Sequence, residues 1–325
     1  MAASPNGETM KKENMRRILA FMLVVAMIVM ASCSKKTHQA ARDKITFTDA
    51  LGREVTMAKE PERVAALIGS FADIWDLSGG TLCAAPEEAW IDYGLELPDA
   101  VNIGGAHSPN LELLLASDPD FVIASASTSS NVDMLDVLES AEITVAYFDV
   151  DNFDDYLQMI DICTDLTGRK DLYEENGLQL QTRIETIKAA FANSGITEEE
   201  RTVLLLRTHS GAVKAKGSEG TILGEMLADL GCINIADSDT SMLETLSVES
   251  VIRQNPYHIF VVTMGDNSEK ALRNLEQMME SNPAWGSLEA VQKGRLYIMD
   301  RALFNSKPNA RWAESYEKLS EIFLG

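Results

Sequence analysis

Cysteine is scarce in this chain: four in 325 residues, widely spaced and without a CxxC pair. That excludes a disulfide-stapled miniprotein and leaves no cysteine-built zinc centre. Nine prolines exclude a collagen, and a 46% share of hydrophobic residues excludes a disordered chain. Basic residues are outnumbered, 28 Lys and Arg against 50 Asp and Glu, for a net charge of −22. A nucleic-acid binder needs a basic face, and a field of this sign repels phosphate. Motifs that carry chemistry are also missing. There is no Gly-x-x-x-x-Gly-Lys phosphate loop and no GxGxxG, so nucleotide chemistry is disfavoured. No GxSxG elbow marks a nucleophile. The four histidines, His38, His107, His209 and His258, are too few for a transition-metal cage. His107 and His209 remain as candidate axial ligands to a metal held by its own macrocycle. Neither a catalytic residue, a cofactor nor a resident metal is expected.

What is present begins at the N-terminus. Lys11-Lys12-Glu13-Asn14-Met15-Arg16-Arg17 precedes an unbroken apolar run from Ile18 to Met30, and Ala31-Ser32-Cys33 follows. A helix of that run is about 20 Å long, short of the roughly 30 Å core of a bilayer. A basic region, a short apolar core and small residues form a secretory signal over residues 1–32. The small-small-Cys ending resembles a lipobox, with Met30 where Leu is usual, and implies lipidation of Cys33. Residues 33–44 read as a tether from the lipid anchor to the fold. Cys83, Cys163 and Cys232 sit in apolar surroundings and read as buried free thiols, with one disulfide among them left open.

The exported chain is long enough for two domains. Val64–Ile68, Phe121–Ala124 and Thr144–Phe148 read as strands, interleaved with helices at Phe71–Leu77, Leu111–Ala116 and Val132–Ser140. This order implies a mostly parallel sheet covered on both faces. From Asp154 to Ala192 there is almost no strand signal, and Leu180, Ile184, Ile187 and Phe191 share one face of a helix. Strands then return at Val203–Leu206, Ile259–Val262 and Arg295–Met299, between helices at Leu223–Leu230, Ser247–Gln254, Glu269–Glu280 and Asn309–Phe323. The expected architecture is α/β: a lobe over 45–150, a helical linker over 151–195 and a second lobe over 196–325. An internal match supports paired lobes. Leu111–Ile123 lies over Val248–Phe260, each with a Glu seven residues before a Pro and with Asp or Asn just ahead of that Pro.

Ligands of α/β folds gather in loops at strand ends. There the sequence places Ser70 and Phe71, Trp90 and Tyr93, His107, Thr128, Arg207 and His209, and Phe304. Aromatics, hydroxyls and few charges suit a large, partly apolar ligand gripped between lobes. Arg207 and Lys214 are the cations noted nearby, fewer than a tris-catecholate iron complex would draw. The aromatics Trp90, Tyr93, Phe71 and Phe304 suit the flat face of a macrocycle.

Asp49-Ala50-Leu51-Gly52-Arg53 with Pro61-Glu62-Arg63-Val64, then Ser108-Pro109-Asn110-Leu111-Glu112 with Asp118-Pro119-Asp120, resemble the cobalamin, haem and iron-siderophore solute-binding proteins of ABC importers. Leu166-Thr167-Gly168, Gly231-Cys232-Ile233-Asn234, Leu246-Ser247-Val248-Glu249, Ala290–Tyr297 and Lys307-Pro308-Asn309-Ala310-Arg311-Trp312 continue the resemblance along nearly all of the exported chain. It implies two Rossmann-like lobes joined by a long interdomain helix, the class III periplasmic-binding-protein fold. It further implies a monomer that delivers a metal chelate to an ABC permease dimer powered by a cytoplasmic ATPase. The membrane would be touched only through the lipid anchor, and Glu112 and Glu249 would dock on the permease. Corrinoid or haem is the favoured ligand on the aromatics. A ferric siderophore or free metal, and an exported enzyme or sensor acting on such a ligand, remain as alternatives.

Overall fold

In the computed structural model the described residues are 43–325, apart from Thr240, Thr245 and Asp266. The signal segment, Cys33, His38 and most of the tether lie outside them. The chain opens with an antiparallel hairpin, β1 (Lys44–Thr48) and β2 (Glu54–Ala58). Its turn is built by Asp49, whose carboxylate accepts the Leu51 and Arg53 amides at 3.1 and 2.9 Å and pairs with the Arg53 guanidinium at 2.8 Å. Gly52 supplies the left-handed residue, φ 77°.

The first lobe is a five-stranded parallel sheet of β3 (Val64–Ala66), β4 (Leu82–Ala85), β5 (Val101–Asn102), β6 (Phe121–Ser125) and β7 (Thr144–Phe148), in the order β5-β4-β3-β6-β7. The second contains β8 (Thr202–His209), β9 (Ala212–Lys216), β10 (Ile233–Asn234), β11 (His258–Thr263) and β12 (Leu296–Ile298). Its parallel order is β10-β8-β11-β12, with β9 antiparallel to β8. The central pairs β3–β6 and β8–β11 are therefore topological equivalents.

Side-chain alternation splits each sheet between two cores. Phe121 and Ile123 of β6, with Val203 and Leu205 of β8, point into one continuous core that also holds Phe153, Tyr156, Leu180, Ile184 and Trp312. Val122 and Ala124 face a core private to the first lobe, while Leu204 and Leu206 face one private to the second. The shared core ties both lobes to the helices between them. Those helices are broken rather than one rod. Phe153–Thr167 carries an Asn152–Asp155 capping box and stops at Gly168, φ 73°. A helical run then proceeds from Lys170–Tyr173 through a π turn at Glu174–Leu178 to Gln179–Ala192. Leu180, Ile184 and Phe191 are buried, and Ile187 is half-buried against the same core.

The internal match has a structural counterpart. Leu111–Ala116 is capped by Asn110, whose side chain accepts the Leu113 amide, and Val248–Gln254 by Ser247, which accepts the Ser250 amide. Each unit then turns through a left-handed residue before its Pro, Asp118 at φ 50° and Asn255 at φ 43°. The predicted helix over Val132–Ser140 is instead two short pieces, Ser129–Val132 and Leu135–Ser140. Cys83, Cys163 and Cys232 are all free thiols.

Candidate functional site

A cleft of about 440 Å³ lies where the carboxyl ends of the two parallel sheets face one another. The first lobe contributes Ser70 after β3, Glu88 and Tyr93 after β4, His107 after β5, and Ser127 and Thr128 after β6. Arg207 near the end of β8, Met264 after β11, and Arg301 and Lys307 after β12 come from the second.

Local chemistry holds these groups in place. Gly69 opens the helix Gly69–Leu77, and a Cβ there would stand 2.8 Å from that of Glu88, so glycine lets the turn Glu88–Ile91 close on the cleft wall. Glu88 accepts the Ala106 amide at 3.0 Å and thereby fixes the loop carrying His107. Buried Asn131 donates to the Ala106 carbonyl at 3.3 Å and accepts the Ser125 amide at 3.1 Å. The Ser125 hydroxyl is shared with Ser127 and Thr128, at 3.1 and 3.2 Å. Tyr93 reaches across the lobes, its hydroxyl donating to the Lys307 carbonyl at 3.2 Å.

Charge in the cleft departs from that of the chain. Arg207 is half-buried, burial lowers the pKa of its guanidinium, and among the described residues no carboxylate is among the groups acting on it. Its Nε is buried without a hydrogen-bond partner among the described residues. On β9, Lys214 stands in register with Arg207, and burial, then Arg207 and Lys214, push the Lys216 ammonium down. Lys307 is likewise pushed down by burial, against the pull of Asp151, Asp149 and Asp155. Arg301 pairs with Asp92 at 3.7 Å across the lobes, and its Nε too lacks a partner. Three cations thus converge on one cleft in a strongly acidic protein.

Of the residues singled out in the sequence, Ser70, Tyr93, His107, Thr128 and Arg207 line this cleft. Four do not. Phe71 is fully buried, edge-on to Phe148, because on the helix it points one step round from Ser70 into the core. Phe304 is buried in the shared core. Trp90 is half-buried against that same core. His209 sits at the β8–β9 turn, its Nδ1 accepting the Gly211 amide at 3.1 Å. Lys214 is exposed on β9 outside the lining. Arg301 and Lys307 were missed; their only signal was two cations in the loop beyond the last strand. Among the described residues no group of three or more His, Cys, Asp or Glu is placed to hold a metal. Glu112 and Glu249 are exposed in the first turns of their capped helices.

Two parallel α/β lobes sharing a core, with a polar cleft between facing strand ends, define a two-lobed solute-binding protein. The chain belongs to the periplasmic binding protein family, whose signature matches residues 64–303. It is similar to the ABC transporter substrate-binding lipoprotein YvrC of Bacillus subtilis, at 24% identity over 92% of this chain and 94% of that one. It is 22% identical to the Fe(3+)-citrate-binding protein YfmC of the same organism, over 88% and 90% of the two chains. Among solved structures it resembles Staphylococcus aureus SirA complexed with staphyloferrin B, with a TM-score of 0.63 and 20% identity over 85% and 96% of the chains.

Proposed function

We propose that this protein is the exported, lipid-anchored substrate-binding component of an ABC importer, and that its cargo is an anionic ferric chelate. The carrying observation is Arg207: a half-buried guanidinium facing the cleft with no carboxylate among the described residues acting on it. Burying such a charge is costly unless an anion completes it. Arg301, paired with Asp92 at 3.7 Å, and Lys307, under the pull of Asp151, Asp149 and Asp155, add positive charge to the same cleft, and the Nε atoms of Arg207 and Arg301, without a partner among the described residues, offer further donors. The names of YfmC and SirA's ligand support iron-bearing cargo. The preference for a corrinoid or haem stands on four aromatics, of which only Tyr93 lines the cleft. With Phe71 and Phe304 in the core, the flat apolar walls that a corrinoid would use are absent from the lining. His107 favours haem as a second reading, since it is the one imidazole in that lining and haem also carries carboxylates.

The role calls for no bond-making step. The cleft binds, orients and shields, and the permease-facing surface hands over. Glu112 and Glu249, on equivalent capped helices of the two lobes, suit a twofold partner carrying cations. Equilibrium binding of ferric citrate to wild type and to Arg207→Gln tests the reading. A loss of at least about tenfold in affinity in the variant is expected for one desolvated charge-assisted contact. Equal affinities would overturn it. In the haem arm, hemin giving a Soret shift that His107→Ala abolishes would replace the citrate-type chelate with axially ligated haem.

A further inference from the structure

One turn below the cleft wall lies a carboxylate that the binding role leaves unexplained. Asp73 is on the helix Gly69–Leu77, three residues on from Ser70, and it meets the second lobe through Asn309. The Asn309 amide donates to Asp73 Oδ2 at 2.7 Å and to the Ser70 carbonyl at 2.9 Å. Asn309 is fully buried and held in the left-handed region, φ 48°, two residues after the cleft cation Lys307. A non-glycine residue there is uncommon and marks a position fixed by its surroundings.

Among the described residues no cation is among the groups acting on Asp73. Its own helix supplies another acid, Asp76. Tyr93, after the turn Glu88–Ile91, and Tyr156, from Phe153–Thr167, both feel its charge. Burial pushes both phenols well above their ordinary range, and the Cys163 thiol up to about 12. Glu88 is tied to the Ala106 amide, Asp92 to Arg301, and Arg311 to Glu314. Asp73 is therefore a half-buried acid between the lobes, neighboured by acids and neutral hydroxyls and beside two cleft residues, Ser70 and Tyr93.

We propose that Asp73 is a proton-linked determinant of ligand affinity: capture of an anionic chelate draws a proton onto its carboxyl, and the protonated protein holds the chelate more tightly. Negative charge brought beside Ser70 and Tyr93 disfavours a second negative charge one turn beneath, and linkage makes the effect reciprocal. Burial, the largest influence, already raises Asp73 from 3.8 to about 6, so the proton exchanges in the mildly acid range. The proposal rests on the anionic-chelate reading above.

Gallium(III) citrate, a diamagnetic stand-in for the iron chelate, serves as the probe for the purified full chain. Carboxyl carbon NMR follows the titration of Asp73 with and without saturating chelate, and calorimetry follows affinity from pH 5 to pH 7.5. The expected result is an upward shift of the Asp73 midpoint on loading. Affinity should fall by about tenfold across the range in wild type, with most of that fall absent in Asp73→Asn but present in His107→Gln. An unmoved midpoint in a protein that binds chelate, or an undiminished fall in Asp73→Asn, overturns the proton link and leaves the chelate reading standing. Absence of chelate binding at every pH overturns both.

Discussion

A guanidinium half-buried without a counter-ion is a liability to a folded protein, and among the described residues none acts on Arg207. Its neighbours on β9 are lysines, and the cations sharing its cleft arrive from the loop after β12. That arrangement lowers stability in the empty protein and is offset when an anion binds. Asp73 is the complementary case. Its carboxyl is raised from 3.8 to about 6, so the folded state holds a proton that the unfolded state releases. The contribution is full below about pH 4 and is lost as pH rises through about 6. Asp73→Asn is expected to stabilise the ligand-free protein at pH 7.5 by on the order of 2 kcal/mol and to change little at pH 4. Thermal unfolding of both proteins at the two values checks this; equal midpoint differences at both would contradict it.

Short elements at the strand ends decide the cleft's shape. Gly69 is the point of closest approach, since a Cβ there would also meet the Glu88 backbone carbonyl carbon at 3.0 Å. Gly69→Ala must push the turn Glu88–Ile91 outward, taking with it Glu88 and the Tyr93 hydroxyl that reaches Lys307. A loss of about 1–3 kcal/mol in stability and a weaker ligand grip are expected, measured by denaturant unfolding and by chelate titration. A variant with wild-type values in both would show that this contact does not set the wall. Elements of this size were also the hardest to read. β6, β8 and β11 declared themselves as apolar runs because both their faces are buried. β5 and β10, two residues each, carry too little pattern to register. The hairpin β1–β2 was quoted as a motif rather than as strands; Val55 and Met57 are buried in the shared core, and Ile45 and Phe47 are half-buried against it.

The site was legible to the extent that strand ends were. Ser70, Thr128 and Arg207 follow the buried apolar runs of β3, β6 and β8, Tyr93 and His107 follow the less legible β4 and β5, and the parallel order brings those ends together. Aromatics misled because a ring just after a strand suits a ligand and a core equally well. Phe71 and Phe304 differ from true lining only by the face of a helical turn, which no sequence period resolves over four to nine residues. Lys307 was read as part of a closing motif and not as a cleft cation, because its depth depends on Asn309 and Tyr93 anchoring that loop from the other lobe.

At the scale of the whole molecule, the continuous core from β6 through Phe153–Thr167 and Gln179–Ala192 to β8 leaves little for a hinge to open without exposing apolar surface. In the proposed role, delivery would then depend on recognition by the permease rather than on wide lobe closure. Glu112→Ala with Glu249→Ala is expected to leave chelate affinity unchanged while abolishing uptake in reconstituted vesicles. Both residues are exposed and stand outside the cleft lining. Uptake at the wild-type rate would remove these two positions from the docking surface.

The account as a whole stands on the charge of the cargo. Titrating one preparation of the protein in parallel with ferric citrate, hemin and neutral cobinamide, under equal ionic strength, tests it most directly. Saturable binding of ferric citrate near one equivalent, weakened by added salt, is the expected result. Tight, salt-insensitive binding of cobinamide with no response to ferric citrate would contradict it.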